Sequence, residues 1–151
     1  MDRTPTNIGY CDMCGRLFVL ANKKDYSSYD FVKKLMNSEL AEHLFNKDDN
    51  AMWLGETYVM SSLEYETDIE VGPVLSDDIM YWTGYLYRVW SLTYDDRPGT
   101  IYAQAPMETM AQMFTGLHVM SYEMAIEDLK GINESGKMFE DKTDNTQMCF
   151  L

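Results

Sequence analysis

One amphipathic helix in the middle of the chain constrains the fold most. Ser76-Asp77-Asp78 supplies a hydroxyl that can cap a first helical turn and two carboxylates at the positive end of the helix dipole. The stripe that follows has helical spacing, with members at Ile79, Trp82, Leu86, Val89, Trp90 and Thr93. The pattern predicts a helix that starts at Ser76, reaches about Tyr94 and buries one face.

The segments before this helix also favour helices. Residues 29–36 and 38–45 are typical of an αα-hairpin, and Ser38 is placed to cap the second helix. Apolar residues between 52 and 63 again recur at helical spacing and lead to an acidic exit. Gly72-Pro73 then predicts a loop.

Two further helices are predicted in the C-terminal half. Pro106 suits a first helical position, and an apolar stripe of methionines, Phe114 and Leu117 follows it, with Gly116 near the helix end. Ser121 can open the next helix, which Gly131 is expected to end. The methionines are of the kind that fills a core, although such a stripe is also a pliable surface for a partner.

No run of alternating apolar and polar residues is long enough to predict a β-sheet. The segment after Gly131 is polar and carries no apolar stripe. We therefore predict an all-α fold, an irregular bundle of about five to seven helices in one domain over residues 1–136. A flexible polar tail is expected over residues 137–151.

The net charge of −13 comes from one central block. Residues 48–128 hold 15 acidic side chains and two basic ones, Arg88 and Arg97, whereas the segments on either side are nearly neutral. Acidic surface repels nucleic acid and membranes and attracts basic partners. Since no signal peptide or membrane-spanning run is visible, we expect a cytoplasmic protein that binds neither nucleic acid nor membrane.

The same block is rich in the residues that anchor protein interfaces, with six aromatic side chains between positions 81 and 94. Several lie off the apolar stripe. The alternative interpretation is that the rings enlarge the core and that Arg88 pairs with a carboxylate or stacks on a ring. Gly84 predicts a close approach by another backbone or a large side chain. The candidate partner-binding residues are Tyr81, Tyr85, Tyr87, Arg88, Asp77, Asp78, Asp95 and Asp96.

Motifs for catalysis and metal binding are weak. Cys11-Asp12-Met13-Cys14 is one Cys-x-x-Cys, and a structural zinc site needs four ligands. Glu39, Glu42 and His43 lack the Glu-x-x-His spacing of a carboxylate-bridged metal helix. No nucleotide-binding loop, metalloprotease motif or serine nucleophile motif is present. We therefore expect no metal, no cofactor and no catalytic residue, and two reduced cysteines on an apolar face.

Residues 79–90, 100–106, 117–118 and 125–129 resemble a group of small acidic bacterial proteins, common in Firmicutes, from toxin–antitoxin or defence-type gene neighbourhoods. The most specific piece is the Tyr-x-Gly-Tyr-x-Tyr-Arg-x-Trp-like core of the aromatic helix, and the similarity covers roughly residues 30–130. The resemblance implies an interaction role and assigns no site residue.

These observations together favour an antitoxin or immunity-like protein that neutralises a basic toxin. Self-association stays open. One alternative is a small helical enzyme with a pocket around Arg88, Tyr102, His118 and Glu123. Another is a phage- or plasmid-encoded mimic of nucleic acid, which would need carboxylates in rows at phosphate-like spacing.

Overall fold

The chain folds into helices joined by short loops. The computed structural model describes residues 1–46 and 54–146, with side chains as far as residue 134. No β-strand occurs in these ranges, where the one extended pairing is an isolated bridge between Tyr26 and Val71. The all-α prediction is confirmed. The helices in the described ranges are α1 (Pro5–Lys23), α2 (Ser28–Met36), α3 (Glu39–Leu44), α4 (Glu56–Glu66), α5 (Asp77–Thr93), α6 (Pro98–Gln104), α7 (Met107–Leu117) and α8 (Tyr122–Thr146).

Hydroxyl side chains cap several helix starts. Ser38 accepts a hydrogen bond from the backbone N–H of Ala41, and Ser76 accepts one from that of Ile79. Each bond satisfies a backbone donor that has no partner inside the helix. Both predicted caps are therefore confirmed, and Ser76 sets the start of α5.

The packing of α1 against α5 forms the centre of the molecule, and the sequence patterns did not predict α1. Its buried face combines Cys11, Cys14, Leu17, Phe18 and Ala21. The two helices approach closely at Gly84, where an added Cβ would stand 2.5 Å from the carbonyl oxygen of Cys14. The close approach expected from Gly84 is thus confirmed, and both cysteines lie on an apolar face.

Helix α5 is enclosed along most of its length. From Met80 to Trp90 every residue is buried apart from Tyr81 and Tyr85, because α1, α6, α7 and α8 all pack against this helix. Met107 and Met110 of α7 are fully buried, so these members of the methionine stripe belong to the core.

Three boundaries differ from the sequence prediction. Helix α8 does not end at Gly131 but continues to Thr146, since an exposed glycine lowers helix propensity without breaking a helix. Pro106 is the N-cap of α7 and not its first residue. Helix α4 begins at Glu56, after Gly55 as its N-cap with a positive φ of 89°, and not at residue 52 as predicted; residues 52 and 53 lie outside the described ranges. Residues 147–151 also lie outside, and the flexibility of the tail stays a prediction.

Candidate protein-binding surface

Three partly buried tyrosines form an aromatic strip where α1, α5 and α8 meet. Tyr81 and Tyr85 lie one turn apart on α5 with ring centroids 5.9 Å apart, and Tyr85 stacks on Tyr122 of α8 at 4.5 Å. All three rings are partly accessible. We refer to Tyr81, Tyr85 and Tyr122 as the tyrosine patch.

Helix α1 positions the first ring of the patch. The Tyr81 ring lies over Gly15, where an added Cβ would come within 2.6 Å of it, and its hydroxyl donates to Asp12 at 2.5 Å. Ile8 lies one turn before Asp12 on α1 and is 41% exposed. The patch therefore continues onto α1 as a mixed aromatic and aliphatic surface.

The carboxylates next to the patch have cationic partners. Asp12 pairs with Arg16 at 3.2 Å. Glu123 receives the N-terminal ammonium of Met1 at 3.3 Å and the guanidinium of Arg3 at 3.0 Å. The pairs made by Arg16 and Arg3 are accessible to solvent, so each contributes little to stability and can exchange partners during binding.

The phenol groups of the patch stay protonated at neutral pH. Burial raises the pKa of Tyr85, and burial together with the neighbouring Tyr85 raises the pKa of Tyr122 to about 12. Burial and the hydrogen bond to Asp12 also raise the pKa of Tyr81. All three rings thus offer an apolar body, and Tyr85 and Tyr122 add a hydroxyl donor, which is the chemistry that makes tyrosine common in interfaces. The hydroxyl of Tyr81 already donates to Asp12.

Two of the predicted acidic residues extend the patch. Asp77 and Asp78 are exposed at the N-terminus of α5, and Asp78 precedes Tyr81 by one turn on the same face. Asp77 accepts a hydrogen bond from the side-chain amide of Asn22 at 3.0 Å.

Tyr87 and Arg88 do not lie on the surface, so the expectation that they flank the stripe as accessible side chains is wrong. Both are fully buried. The hydroxyl of Tyr87 donates to the carbonyl oxygen of Ala105 at 2.5 Å. The guanidinium carbon of Arg88 lies 5.1 Å from the ring centroid of Tyr10 and 5.3 Å from that of Phe45, which agrees with the core interpretation of this arginine. Helices on several sides enclose this part of α5, which the pattern of one helix cannot reveal.

Asp96 serves the fold, although it was predicted as a partner contact. Its carboxylate accepts hydrogen bonds from the indole N–H of Trp90 at 2.8 Å, from Lys130 at 3.1 Å and from Gln104 at 3.3 Å. The bond from Trp90 lowers the pKa of Asp96, with Lys130 and Gln104 acting in the same direction against burial. Asp95 is exposed.

A cavity of about 370 Å³ lies beside Asp95, between the end of α3 and the α5–α6 turn. Phe45 and Ser91 contribute to its wall. At its edge Arg97 makes a two-pronged ion pair with Glu42, at 3.1 and 3.2 Å.

The four residues proposed to line the pocket of a small enzyme do not contact one another. Arg88 is in the core, Tyr102 is on α6, His118 stacks on Phe114, and Glu123 holds Met1 and Arg3. No hydrogen bond or ion pair connects any two of the four within the described part of the chain. The convergent polar pocket that catalysis requires does not form from these side chains.

No group of three or more potential metal ligands comes together in residues 1–46 and 54–146. Burial raises the pKa of Cys11 and Cys14 to about 12, so both thiols are protonated and unreactive. The expected lack of a metal or cofactor stays a prediction.

Comparison with protein-family models, with curated proteins and with solved structures gave no match. The resemblance to the antitoxin-associated group therefore remains a prediction. Within the described ranges, no helix has the length and apolar character needed to cross a membrane.

Sequence reasoning missed three contributors to the surface, namely Ile8, Asp12 and Tyr122. Ile8 and Asp12 lie on a helix that was not predicted, and Tyr122 is distant from Tyr85 in the sequence. A tertiary contact brings Tyr122 to the patch, and no local pattern signals it.

Proposed function

We propose that this chain is a cytoplasmic antitoxin or immunity-like protein that binds and neutralises a basic protein partner. The tyrosine patch carries this proposal, because it is an accessible cluster of interface-type side chains next to exposed carboxylates. Clustered tyrosines desolvate well on binding and lose little conformational entropy.

The charge of the chain supports a basic protein as the partner. A net charge of −13 accelerates encounter with a basic surface, and Asp77 and Asp78 place part of that charge at one end of the patch. The same charge opposes nucleic acid, since each phosphate contact needs a local cation. The proposed contact residues are Ile8, Asp77, Asp78, Tyr81, Tyr85 and Tyr122.

Several of the described carboxylates are neutralised within the chain and do not add free charge to a mimic of nucleic acid. Asp12, Asp30, Glu64, Asp96 and Glu123 each form an ion pair with a cationic group of this chain. Rows of free negative charge, as in a phosphate backbone, require such carboxylates to be unpaired.

The experiment expresses basic products of the genes that flank this one, alone and together with this chain, in a heterologous host. We expect one of these basic proteins to arrest growth of the host when it is expressed alone. Co-expression of this chain should restore growth. Binding of the purified pair is then measured by calorimetry. Replacing Tyr85 by Ala should weaken it by at least ~2 kcal/mol, about thirtyfold in Kd.

Tyr65→Ala is the matched control. Tyr65 lies on α4 and is 95% exposed, so its loss should leave both growth rescue and affinity within about twofold. Circular dichroism must show that both variants are folded. Equal affinities for the two variants would contradict the assigned surface, and growth rescue by no flanking gene pair would contradict the function.

A further inference from the structure

Three sulfur-containing side chains come together in the core near the start of α1. Cys11 and Cys14 lie one turn apart on the buried face of α1, and both are fully buried. The thiol of Cys11 lies 3.8 Å from the thioether sulfur of Met1, whose side chain is also buried. Residues three apart on a helix hold their Cβ atoms about 5–6 Å apart, so side-chain rotation can bring both thiols to one ion.

The distance between the sulfur atoms of Cys11 and Met1 fits a shared metal ion. Metal–sulfur bonds of about 2.3 Å put two ligands of a trigonal site roughly 4 Å apart, close to the 3.8 Å observed. Counting histidine, cysteine and carboxylate side chains alone, the described residues gather no set of three ligands. The thioether of Met1 supplies the third ligand here, and thiolates with a thioether select soft ions such as Cu(I).

A buried cation lies near these thiols without a counter-charge. The Nη1 of Arg88 donates to two neutral groups, the carbonyl oxygen of Phe45 and the hydroxyl of Ser91, whereas its Nε and Nη2 have no hydrogen-bond partner. Burial lowers the pKa of Arg88, and the nearby Cys14 and Cys11 oppose that shift. A buried charge without a partner is destabilising, so this arrangement calls for a specific explanation.

Charge balance at this place favours a monovalent ion. When Cu(I) binds, Cys11 and Cys14 each release a proton to solvent, and two thiolates with one copper ion carry a single negative charge. The positive charge of Arg88 cancels it. A divalent ion such as Zn²⁺ would already be neutral with two thiolates, would leave Arg88 unbalanced and would lack the fourth ligand of a structural zinc site.

We propose that Met1, Cys11 and Cys14 form a trigonal binding site for Cu(I), with the guanidinium of Arg88 as its buried counter-charge. The ion takes the place of the two thiol protons, so the site requires no preformed cavity. This proposal replaces the expectation of no metal, which rested on the four ligands that zinc needs. The site is independent of the tyrosine patch, so either proposal can fail without the other.

Movement of the N-terminal segment gives the ion a path to the buried sulfur atoms. Residues 1–4 precede α1 and lie outside any helix. A solvent-accessible ion pair between Arg3 and Glu123, at 3.0 Å, holds this segment, and such pairs contribute little to stability. Release of the segment withdraws Met1 from Cys11 and admits the ion.

The first test offers Cu(I) to the reduced, metal-free protein as its coloured complex with bicinchoninate, at fixed pH and with a non-thiol reductant. We expect the protein to withdraw one ion per chain from that complex. Cys11→Ala and Cys14→Ala should each lose this uptake, while Cys149→Ala, which removes the third cysteine of the chain, should keep it. No uptake by the unaltered protein, or uptake that depends on Cys149 alone, would overturn the proposal.

Replacement of Arg88 tests the counter-charge. Arg88→Met should weaken Cu(I) binding at least about tenfold, because the charge of the bound site is then unbalanced in the core. Its affinity for Zn²⁺ should not fall, since zinc with two thiolates is neutral. Arg88→Lys keeps the charge and should retain most of the Cu(I) affinity, and Arg16→Met, which removes an exposed arginine of α1, should retain all of it. Equal losses for both metals in Arg88→Met would overturn the role of Arg88.

A measurement on the unaltered protein covers the case in which the variants do not fold. Ag(I) is a soft, monovalent and diamagnetic substitute for Cu(I), so it permits NMR. In a sample with ¹³C-labelled methionine methyl groups, the Met1 resonance should shift until one equivalent of Ag(I) is added. The resonance of Met107, which is buried in α7, should stay nearly unchanged. An unmoved Met1 resonance would overturn the proposal.

Discussion

Two successive turns of α5 carry large polar side chains that differ in solvent exposure. Tyr81 and Tyr85 lie on the open turn, where the Tyr81 ring lies over Gly15 of α1 and remains partly accessible. Tyr87 and Arg88 lie on the closed turn and are fully buried, Tyr87 against Phe18 of α1 and Arg88 beside the ring of Phe45. The comparison shows that the helices around α5 decide which residues can meet a partner, while residue type does not.

Trp90 gives the largest expected contrast with the open turn. Replacing Trp90 by Ala should lower the free energy of unfolding by about 3–5 kcal/mol, because a fully buried ring and its hydrogen bond to Asp96 are lost. Tyr85→Ala should cost only about 1 kcal/mol, since that ring is partly exposed already. Denaturant unfolding measures both. Similar losses would show that α5 is closed on all sides.

The glycine contact between α1 and α5 is the next test. Gly84→Ala should destabilise the fold by about 1–3 kcal/mol, because the new methyl group would meet the backbone of Cys14. Gly116→Ala is the control. Gly116 is near the end of α7 with nothing within 4 Å of an added Cβ, so alanine should stabilise the protein by up to about 1 kcal/mol. The opposite order of Tm values would contradict the close packing.

The third prediction concerns Asp96 at the closed end of α5 and the pH dependence of its contribution to stability. Its pKa is lowered from a usual value of 3.8, so its stabilising effect is present above that value and is lost as the pH falls through the pKa in the folded protein. Asp96→Asn should cost about 1–2 kcal/mol at neutral pH. The difference from the unaltered protein should shrink below about pH 4, as thermal melts across this range can show. A constant difference would mean that the charge of Asp96 is not involved.

The smallest effect is expected from removing the C-terminal part of α8. This truncation tests whether the packing around either turn of α5 needs that segment. The last side chain of α8 described as buried is Leu129, and the sequence beyond Gly136 has no apolar stripe. Truncation after Gly136 should leave Tm nearly unchanged. A fall of about 8 °C or more, equivalent to a few kcal/mol at this size, would show that the segment stabilises the fold.

The helices with a conventional apolar stripe and a hydroxyl cap were predictable from sequence. Ser38, Ser76 and the stripe of α5 all gave correct elements because their signals are local. The first helix was missed because its buried face relies on Cys11, Cys14 and Gly15, which carry a weak apolar pattern.

The candidate site residues could be predicted less well from the sequence. Burial of Arg88 depends on Phe45 and Tyr10, and the patch depends on Tyr122, all of which arrive from other helices. Helical periodicity identifies the face of a helix that is most apolar. It gives no information on how many neighbours enclose the rest of that helix.

The pairing of α1 with α5 also determines the order of events during synthesis. Tyr81 bonds to Asp12 across 69 positions of sequence, so α1 leaves the ribosome long before the helix that covers it. Until then Cys11 and Cys14 are in water, where a thiol has an ordinary pKa and reacts with oxidants. These cysteines are therefore most open to oxidation during translation, until α5 packs against α1.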